Sequence, residues 1–304
     1  MTLEDFVLGG QWVFLAYFVG INLGYLTQNV IAAIGIRKYL QTSEQYEAEN
    51  IFSALDIPIS VVVPAHNESA SIITSVKALL QLEYPQYELV VVNDGSSDDT
   101  LQKLIDGFGM REFPEAYRDR VVSAPVRGIY RSTKIRNLRV VDKENGGSKA
   151  DASNAGINAC RYPLVCVVDA DSVLQPDSLR RVVRPFLEDP TTVAVGGTVR
   201  IANGCTVRQG FMEKVGLPRN FLALVQVVEY LRAFLFGRMG WSPINGLLII
   251  SGAFGLFHKE TLMEAGGFNP DAVGEDMELV LRLHGLMKAK KRPYRITFVP
   301  DPVC

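Results

Sequence analysis

Acidic side chains follow three apolar runs of this 304-residue sequence at the point where each run ends. The runs ISVVV, ELVVV and LVCVV lead into Pro-Ala-His-Asn-Glu, Asn-Asp-Gly-Ser and Asp-Ala-Asp, which carry Glu68, Asp94, Asp169 and Asp171. Each segment alone has a structural explanation, because Asp, Asn and Ser also cap helices and form turns. Their recurrence at three such positions instead favours a binding site for a polar ligand.

The Asp-Ala-Asp segment is the most informative of the three. Asp169 and Asp171 place two carboxylates two positions apart, directly after the apolar run LVCVV. Mg²⁺ prefers oxygen ligands and typically combines one or two carboxylates with the phosphate oxygens of a substrate. Because such pairs also occur in many acidic loops, the position at a strand end carries the prediction. It indicates a divalent metal bound to a diphosphate.

Helix-like stretches separate the apolar runs and predict the scaffold that positions these acids. They lie at 69–82, 98–108 and 148–159, and LRVV at 138–141 adds another apolar run. Continuous rather than alternating apolar strands, separated by helices, are typical of a parallel sheet buried on both faces. The predicted class is an open α/β sheet, in which ligands bind at the carboxyl ends of the strands.

Other segments depart from this regular alternation. Residues 109–137 contain arginines but no clear period, and we interpret them as an irregular excursion with one short helix. A helix near 176–188 and a strand near 193–200 follow. Helix 275–288 then begins with Gly-Glu-Asp, an acidic first turn that the helix dipole stabilises.

The apolar stretch 211–250 is interrupted by Glu229, Arg232 and Arg238. A second transmembrane helix would carry these charges at a high cost. Helices lying at the membrane interface are favoured, with Trp241 and the arginines near the headgroups. A core helix with snorkelling arginines explains the pattern equally well, so both interpretations stay open.

The N-terminal residues 6–36 contain no Asp, Glu, Lys or Arg. A membrane-spanning helix needs about 20 apolar residues, whereas an ordinary soluble helix has about 11. A cleaved signal peptide is disfavoured because Glu4 and Asp5 stand where its positive region would be. Arg37 and Lys38 follow the run, so the positive-inside rule predicts an anchor in the cell (inner) membrane and a cytoplasmic domain.

Composition excludes several other classes of protein. With 31 Lys and Arg against 33 Asp and Glu, the net charge of −2 gives no reason to expect nucleic acid as a partner. A dehydrogenase is disfavoured because no G-x-G-x-x-G follows the first strand. Cysteines without C-x-x-C spacing are expected to be reduced and mostly buried, and the histidines are expected to be hydrogen-bonded rather than metal-bound. The cysteines are Cys160, Cys166, Cys205 and Cys304, and the histidines are His66, His258 and His284.

Six segments, in order and with their spacing, resemble a known family. They are VVVPAHNES, VVVNDGSSDDT, NGGSKADASNAG, VVDADSVLQPDSL, SGAFGLFHKETL and GFNPDAVGEDMEL. Residues 58–304 thereby resemble family 2 glycosyltransferases of the GT-A fold, most closely the membrane-bound branch that makes poly-N-acetylglucosamine, hyaluronan and cellulose. The resemblance implies an α/β fold with an open mixed sheet and flanking helices, preceded here by one N-terminal transmembrane helix.

On the donor side, the resemblance implies four nucleotide-binding residues. The acid after the second strand, Asp94, would contact the nucleoside. Ala65 and Glu68 of the first loop would lie against the nucleotide, and Lys149 would lie near it. Ser148 stands between the paired glycines and Lys149, one residue more than the common pattern of this motif.

On the reaction side, the resemblance implies a metal site, a base and an acceptor segment. Asp169 and Asp171 would hold Mg²⁺ or Mn²⁺ and the diphosphate, and Asp169 would also contact the nucleotide-sugar. Asp276 would be the catalytic base. Ser251 and Gly252 would face the acceptor sugar.

The predicted domains follow from these patterns. Residues 1–40 form the anchor, 41–57 a juxtamembrane connector and 58–304 the glycosyltransferase domain. Within that domain, 58–172 is the nucleotide-binding half and 173–304 the acceptor half, with an apparently truncated C-terminus.

The sequence therefore predicts a membrane-anchored inverting glycosyltransferase that moves a sugar from a nucleotide-sugar, UDP-linked by resemblance, to a growing polysaccharide. The chain stops at Cys304, before the Gln-x-x-Arg-Trp motif and later membrane helices of processive members. We expect either a piece of a longer enzyme or a protein that is not an active processive synthase. Transfer of one sugar to a lipid acceptor is one alternative. A nucleotide-sugar-binding regulator without catalysis is another, and the retained Asp276 argues against it.

Overall fold

The chain begins with one long helix. The computed structural model describes residues 3–49, 56–208 and 210–304, and helix α1 occupies Leu3–Glu49. Its segment Val7–Thr42 is long and apolar enough to cross a membrane, and residues 7–27 are exposed on all sides. Exposed apolar side chains on every face suit contact with lipid rather than water. The helix continues into the predicted connector, of which residues 50–55 lie outside the described residues.

A large mixed sheet forms the centre of the described chain. From one edge to the other, its order is β11-β7-β10-β6-β1-β2-β5-β4-β3, and a separate hairpin pairs β8 with β9. β10 runs antiparallel between β6 and β7, and β4 runs antiparallel to β5 and β3. The predicted open mixed α/β sheet is confirmed. The strands are β1 (Ile59–Ala65), β2 (Tyr87–Asp94), β3 (Met110–Glu112), β4 (Val126–Ser132), β5 (Leu138–Lys143), β6 (Leu164–Val168), β7 (Thr192–Thr198), β8 (Thr206–Arg208), β9 (Phe211–Lys214), β10 (Phe254–His258) and β11 (Arg295–Pro302).

The four central strands β6, β1, β2 and β5 are parallel and in register, which brings their carboxyl ends to one edge. Ala65 at the end of β1 lies opposite Asn93, and Asp94 at the end of β2 lies opposite Lys143. Val167 of β6 lies opposite Val62. The strands are buried on both faces, as their continuous apolar pattern predicts.

Helices cover both faces of the sheet. Helix α4 packs closely on β1, where a Cβ added to Gly156 would lie 2.3 Å from Val62. Ser148 caps this helix by accepting a hydrogen bond from the Asp151 amide at 3.2 Å, which explains the extra residue of the motif. The remaining helices are α2 (Ile72–Leu79), α3 (Thr100–Phe108), α4 (Lys149–Ala159), α5 (Ser178–Glu188), α6 (Phe221–Tyr230), α7 (Met239–Trp241), α8 (Lys259–Glu264) and α9 (Glu275–Ala289), with a π-helix at Leu231–Arg238 and a 3₁₀ turn at Ser242–Ile244.

The irregular excursion predicted for 109–137 is confirmed only for residues 113–125, and the short helix predicted in it does not form. On either side of these residues, β3 and β4 extend the sheet beyond β5. Strands at a sheet edge keep one face partly in water, so the continuous apolar pattern of a central strand is not required. The arginines that obscured the pattern have solvent or an acid as partners, as where Arg131 pairs with Glu115 at 3.0 Å.

The stretch 211–250 contains helices, as predicted, after the short strand β9. Helix α6 has no buried residue, and its Phe221, Leu222 and Val228 are exposed. The core-helix interpretation therefore fails for α6. It holds for the π-helix and α7, where Phe234 and Met239 are buried in the core.

Candidate active site

The loops after β1 and β2 form one hydrogen-bonded unit. Asn67 adopts a positive φ of 56°, which Asn tolerates better than most residues. Its side-chain oxygen accepts a hydrogen bond from the Ser97 amide at 2.8 Å. The Ser69 amide donates to Asp98 at 3.1 Å, and hydrogen bonds led by that from the Thr100 hydroxyl hold the pKa of Asp98 below its ordinary value. These contacts fix the first loop against the second.

Asp94, at the end of β2, is held by a buried cation. Lys143 is completely buried, contacts the Asp94 carboxylate and lies 3.3 Å from Asp151. The Gly146 amide donates to the same Asp94 oxygen, Oδ1, at 3.1 Å. A buried ammonium group needs such acidic partners because its desolvation is costly. Asp94 is thus fixed through one oxygen, while within the described residues its Oδ2 has no hydrogen-bond partner.

Ala65 ends strand β1, and Glu68 lies in the loop that follows it. Ala65 is buried at the carboxyl end of β1. Glu68 accepts a hydrogen bond from the Ser71 hydroxyl at 2.6 Å, so its carboxylate faces the start of α2. Of the two residues, only Ala65 lies at the carboxyl end of the strand. The structure therefore gives Glu68 a role at the start of α2, and its contact with a nucleotide stays a prediction.

Lys149 and the Asp-Ala-Asp segment meet at the end of β6. The Lys149 ammonium contacts the Asp169 carboxylate and donates to the Gly252 carbonyl at 2.6 Å. Asp171 is exposed, and its side chain has no partner among the described residues. One carboxylate is therefore neutralised by an ammonium group and the other is open to solvent.

Asp276 is joined to this cluster through Gly252. The Gly252 amide donates to Asp276 Oδ2 at 3.1 Å, and the Met277 amide donates to Oδ1 at 2.8 Å. Asp276 lies in the first turn of α9, where the helix dipole favours a negative charge. The preceding Ser251 accepts a hydrogen bond from the Phe254 amide through its carbonyl, at 3.1 Å.

The start of α4 connects the two clusters. Lys149, its first residue, contacts Asp169, while Asp151 of the same turn contacts Lys143 and so lies beside Asp94. The predicted residues therefore divide into a cluster around Asp94 and a cluster around Asp276. One helix turn spans both.

Sequence patterns did not assign three charged residues, Lys143, Asp151 and Arg238, to this region. Lys143 is a lysine at the end of an apolar strand, and Asp151 resembles an ordinary first-turn acid, so neither stood out. Arg238, within the π-helix, stacks on the Phe234 ring with its guanidinium carbon 3.7 Å from the centroid. Burial lowers the pKa of Arg238 to about 10, against the opposing negative charge of Asp276. A charge inside an apolar segment was the available signal for Lys143 and Arg238.

The two carboxylates fit a metal only with help from a substrate. No group of three or more His, Cys, Asp or Glu side chains suited to a metal exists within residues 3–49, 56–208 and 210–304. Asp169 and Asp171 nevertheless supply hard oxygen ligands at an open edge. Mg²⁺ commonly takes one or two carboxylates and completes its shell with phosphate oxygens and water. The donor set therefore fits a metal that arrives with a diphosphate.

The family comparison covers most of the chain. The family described as "Glycosyltransferase like family 2" matches residues 57–304. This interval begins one residue before the predicted domain and contains every predicted site residue.

Curated relatives match over a similar length of this chain. The poly-beta-1,6-N-acetyl-D-glucosamine synthase of Staphylococcus epidermidis is 28% identical over 246 residues, which are 81% of this chain and 49% of the relative. The protein of the same name from Staphylococcus aureus (strain COL) is 27% identical over 248 residues, again 81% of this chain and 49% of the relative. The chain thus spans about half the length of these relatives.

A solved structure shares the fold. The mannosyltransferase PcManGT from Pyrobaculum calidifontis, in complex with GDP-Man and Mn²⁺, aligns with a TM-score of 0.53 and 20% identity. The alignment covers 92% of this chain and 67% of that protein. This similarity agrees with the GT-A architecture expected from the sequence.

Proposed function

We propose, because the chain belongs to glycosyltransferase family 2, that its site moves a sugar from a nucleotide-sugar to a growing saccharide chain at a membrane. The names of the staphylococcal relatives support a polysaccharide product. The contact chain Asp169–Lys149–Gly252–Asp276 is the observation that carries the proposal. These contacts support a diphosphate site and a base on the two sides of one residue, Gly252.

The nucleoside of the donor binds beside Asp94 in this proposal. Lys143 and Gly146 hold Asp94 Oδ1, which leaves Asp94 Oδ2 to accept a hydrogen bond from the nucleobase of the donor. UDP is the proposed nucleotide, from the family resemblance. Ala65 ends the neighbouring strand β1, Glu68 lies in the loop that follows it, and Lys149 approaches the diphosphate from the start of α4.

Asp276 is the proposed general base. It removes the proton of an acceptor hydroxyl as the hydroxyl oxygen bonds to the anomeric carbon, and the bond from that carbon to the diphosphate oxygen breaks. Attack from the face opposite the leaving group inverts the anomeric configuration. The Gly252 and Met277 amides orient the carboxylate. Ser251 and Gly252 therefore face the acceptor.

Asp169 and Asp171 are the proposed ligands for Mg²⁺ or Mn²⁺. Such an ion supplies charge neutralisation for the departing nucleoside diphosphate. Lys149 already neutralises Asp169. We expect this ammonium group to move towards the phosphates when the donor binds, since a diphosphate offers it a stronger negative charge.

The transfer reaction can be tested with the full-length protein in nanodiscs. UDP-N-acetylglucosamine and a short β-linked glucosamine oligosaccharide are supplied with Mn²⁺, and UDP release and product length are measured. We expect release that depends on the acceptor, with products longer by several sugars. A single added sugar would favour a non-processive transferase. Absence of transfer from any nucleotide-sugar would contradict the proposed activity.

Metal dependence has its own binding test. Calorimetry measures UDP affinity with Mn²⁺ and then with excess EDTA. We expect affinity to fall when the metal is removed, because the ion joins the carboxylates to the diphosphate. Equal affinity in both conditions would remove the metal role of Asp171.

We also propose that the catalytic domain lies in the cytoplasm, since Arg37 and Lys38 follow the candidate span. The test introduces one cysteine at exposed Gln41 and treats intact cells with an impermeant thiol reagent. Thr2→Cys is the matched control on the other side of the span. Labelling at position 2 and protection at position 41 are expected, and the opposite pattern would reverse the orientation.

A further inference from the structure

The catalytic domain contacts α1 inside the charge-free run of that helix. The Gln28 side chain donates a hydrogen bond to the Gly237 carbonyl of the π-helix at 2.9 Å. A Cβ added to Gly240 would lie 2.9 Å from the backbone oxygen of Gln28, so α7 packs directly on α1 at this residue. Arg37, the first charge after the run, lies roughly 14 Å further along the helix at 1.5 Å per residue. The domain therefore meets α1 well before the charges.

Length and polarity both place the end of the hydrocarbon at this contact. Residues 7–27 are exposed on all sides, and they cover about 30 Å, which is the thickness of the hydrocarbon core of a bilayer. Thr27, Gln28 and Asn29 then form a run of three polar side chains. Beyond them, Ala32 is completely buried in the core of the domain. Near Gln28, α1 thus changes from a helix exposed on all sides to a helix packed on protein.

Helix α6 leaves the domain close to the same level. It runs directly into the π-helix that Gln28 contacts, and Arg232 at the start of that π-helix lies within electrostatic range of Tyr25 of α1. Residues 7–27 are exposed and α6 has no buried residue, so the two helices do not bury one another. Helix α6 therefore extends away from α1 and does not pack along it.

One side of α6 is apolar and exposed. Phe221, Val225 and Val228 follow the i, i+4, i+7 spacing of one helix face, and their side chains are 76%, 44% and 63% exposed. An exposed apolar stripe of this kind is typical of a helix that lies in the plane of a lipid–water interface. The nearest charges, Glu229 and Arg232, pair with each other at 2.9 Å. This paired charge does not select anionic headgroups.

Trp241 is a further marker of depth. It directly follows Gly240, the α7 residue that lies against Gln28, and its side chain is half exposed. Trp is enriched at membrane–water interfaces, because its large ring is apolar and its indole N–H is a hydrogen-bond donor. The exposed Trp241 ring thus lies close to the level of the polar run in α1.

We propose that the membrane surface crosses α1 near Gln28 and that α6 lies in this surface, with Phe221, Val225 and Val228 in contact with acyl chains. The partner is the lipid bilayer itself. The part of α1 that follows Gln28 then lies outside the hydrocarbon and connects the span to the domain. A single span would allow the domain to tilt on the membrane, whereas a second contact through α6 fixes its orientation.

The lipid contact of α6 is tested by photo-crosslinking of the full-length protein in phosphatidylcholine nanodiscs. The photoreactive residue p-benzoylphenylalanine replaces Phe221, and mass spectrometry of the labelled peptide identifies the adducts. Matched replacements are made at Phe14, in the exposed run of α1, and at Phe113, which follows β3 at the edge of the sheet opposite β11 and α7. We expect lipid adducts at positions 14 and 221 and none at position 113, although all three side chains are exposed.

The depth of α1 is tested with a water-soluble maleimide in the same nanodiscs. Ile34→Cys places a thiol at an exposed position after Gln28, and Ile21→Cys is the matched control at an exposed position before it. Mass spectrometry of the α1 peptide separates this labelling from that of the native cysteines, which lie outside α1. We expect near-complete labelling at position 34 and none at position 21, because the reagent does not enter the hydrocarbon.

Each outcome decides the proposal. Lipid adducts at position 221 together with labelling at position 34 support it. A crosslink from position 221 to a second copy or to another protein segment would overturn the lipid contact, as would the absence of any adduct there while position 14 reacts. Equal protection of positions 34 and 21 would overturn the depth and move the membrane surface towards Arg37. Absence of lipid adducts at position 14 would overturn the whole arrangement, since α1 would then not lie in the bilayer.

Discussion

The proposed nucleotide-binding half and the proposed acceptor half of this domain are organised differently. Around Asp94, the loops are joined to one another by side-chain hydrogen bonds, and a completely buried Lys143 holds the carboxylate. Around Asp276, backbone amides make the orienting contacts, and helix α6 in the same half presents exposed apolar side chains. On the proposed donor side the Asp94 carboxylate is buried within the chain, whereas Asp276 on the proposed acceptor side is partly exposed, and we call these two sides closed and open.

This difference is consistent with the demands of the two ligands. The same nucleotide binds in every reaction cycle, so a preorganised site lowers the cost of ordering the loops and the ligand. A growing saccharide must move after each addition, and an open surface permits that movement. Substitutions in the first half should therefore change stability and donor affinity, while substitutions in the second half should change the rate.

The largest effect is expected from Asp276→Asn. Loss of a positioned general base typically reduces the rate by about 10²–10⁴-fold. Donor affinity should be nearly unchanged, because the Asp276 side chain contacts Gly252 and Met277 and not the proposed diphosphate ligands. Turnover in a full-length protein and calorimetric UDP binding with Mn²⁺ measure the two quantities.

Asp171→Asn is the matched carboxylate-to-amide variant for this comparison. It removes a proposed metal ligand and should reduce both turnover and UDP affinity. Thermal unfolding recorded in parallel identifies any loss of folded protein. If Asp276→Asn keeps near-normal turnover, Glu275 or another group must be the base. If it loses UDP affinity as strongly as Asp171→Asn, the division between the halves is wrong.

The next effect concerns the buried cation of the donor side. Lys143→Met leaves Asp94 and Asp151 without their shared partner, and removal of one member of a buried ion pair costs about 3–5 kcal/mol in the free energy of unfolding. Lys149→Met is the matched control, because the side chains of Lys149 and Asp169 are 32% and 30% exposed. For such a pair, about 1 kcal/mol or less is expected.

Denaturant unfolding of the solubilised protein measures both variants. A near-equal loss of stability would show that Lys143 contributes no more than a partly exposed lysine. In that case, the closed character of the donor side would have to come from the loop hydrogen bonds alone. UDP affinity should also fall in Lys143→Met, since Asp94 loses the contact that fixes its Oδ1.

Sequence patterns predicted the parts of this domain where local residues decide the structure. The apolar runs gave β1, β2, β5 and β6 within about two residues, because strands buried on both faces must be continuously apolar. They failed for β3 and β4, whose edge position depends on pairing with β5. The acids at strand ends were found for the same local reason. The role of Lys143 was not, because it depends on the register that places it opposite Asp94.

The smallest effect tests how closely the loops of the donor side approach each other. Gly95 and Gly147 both have positive φ, of 55° and 76°, so alanine at either position is strained by about 1–2 kcal/mol. They differ in surroundings. A Cβ on Gly95 would lie 2.5 Å from the Asn145 amide nitrogen, whereas a Cβ on Gly147 has nothing within 4 Å.

Gly95→Ala should therefore destabilise the protein by roughly 1–3 kcal/mol more than Gly147→Ala, since overpacking against backbone forces a shift. That shift moves Asn145 and with it the Gly146 amide that donates to Asp94. UDP affinity should fall in Gly95→Ala and stay close to normal in Gly147→Ala, which reports strain without displacement. Equal changes in the two variants, by unfolding and by calorimetry, would show that the donor loops can adjust, and that the donor side is as open as the acceptor side.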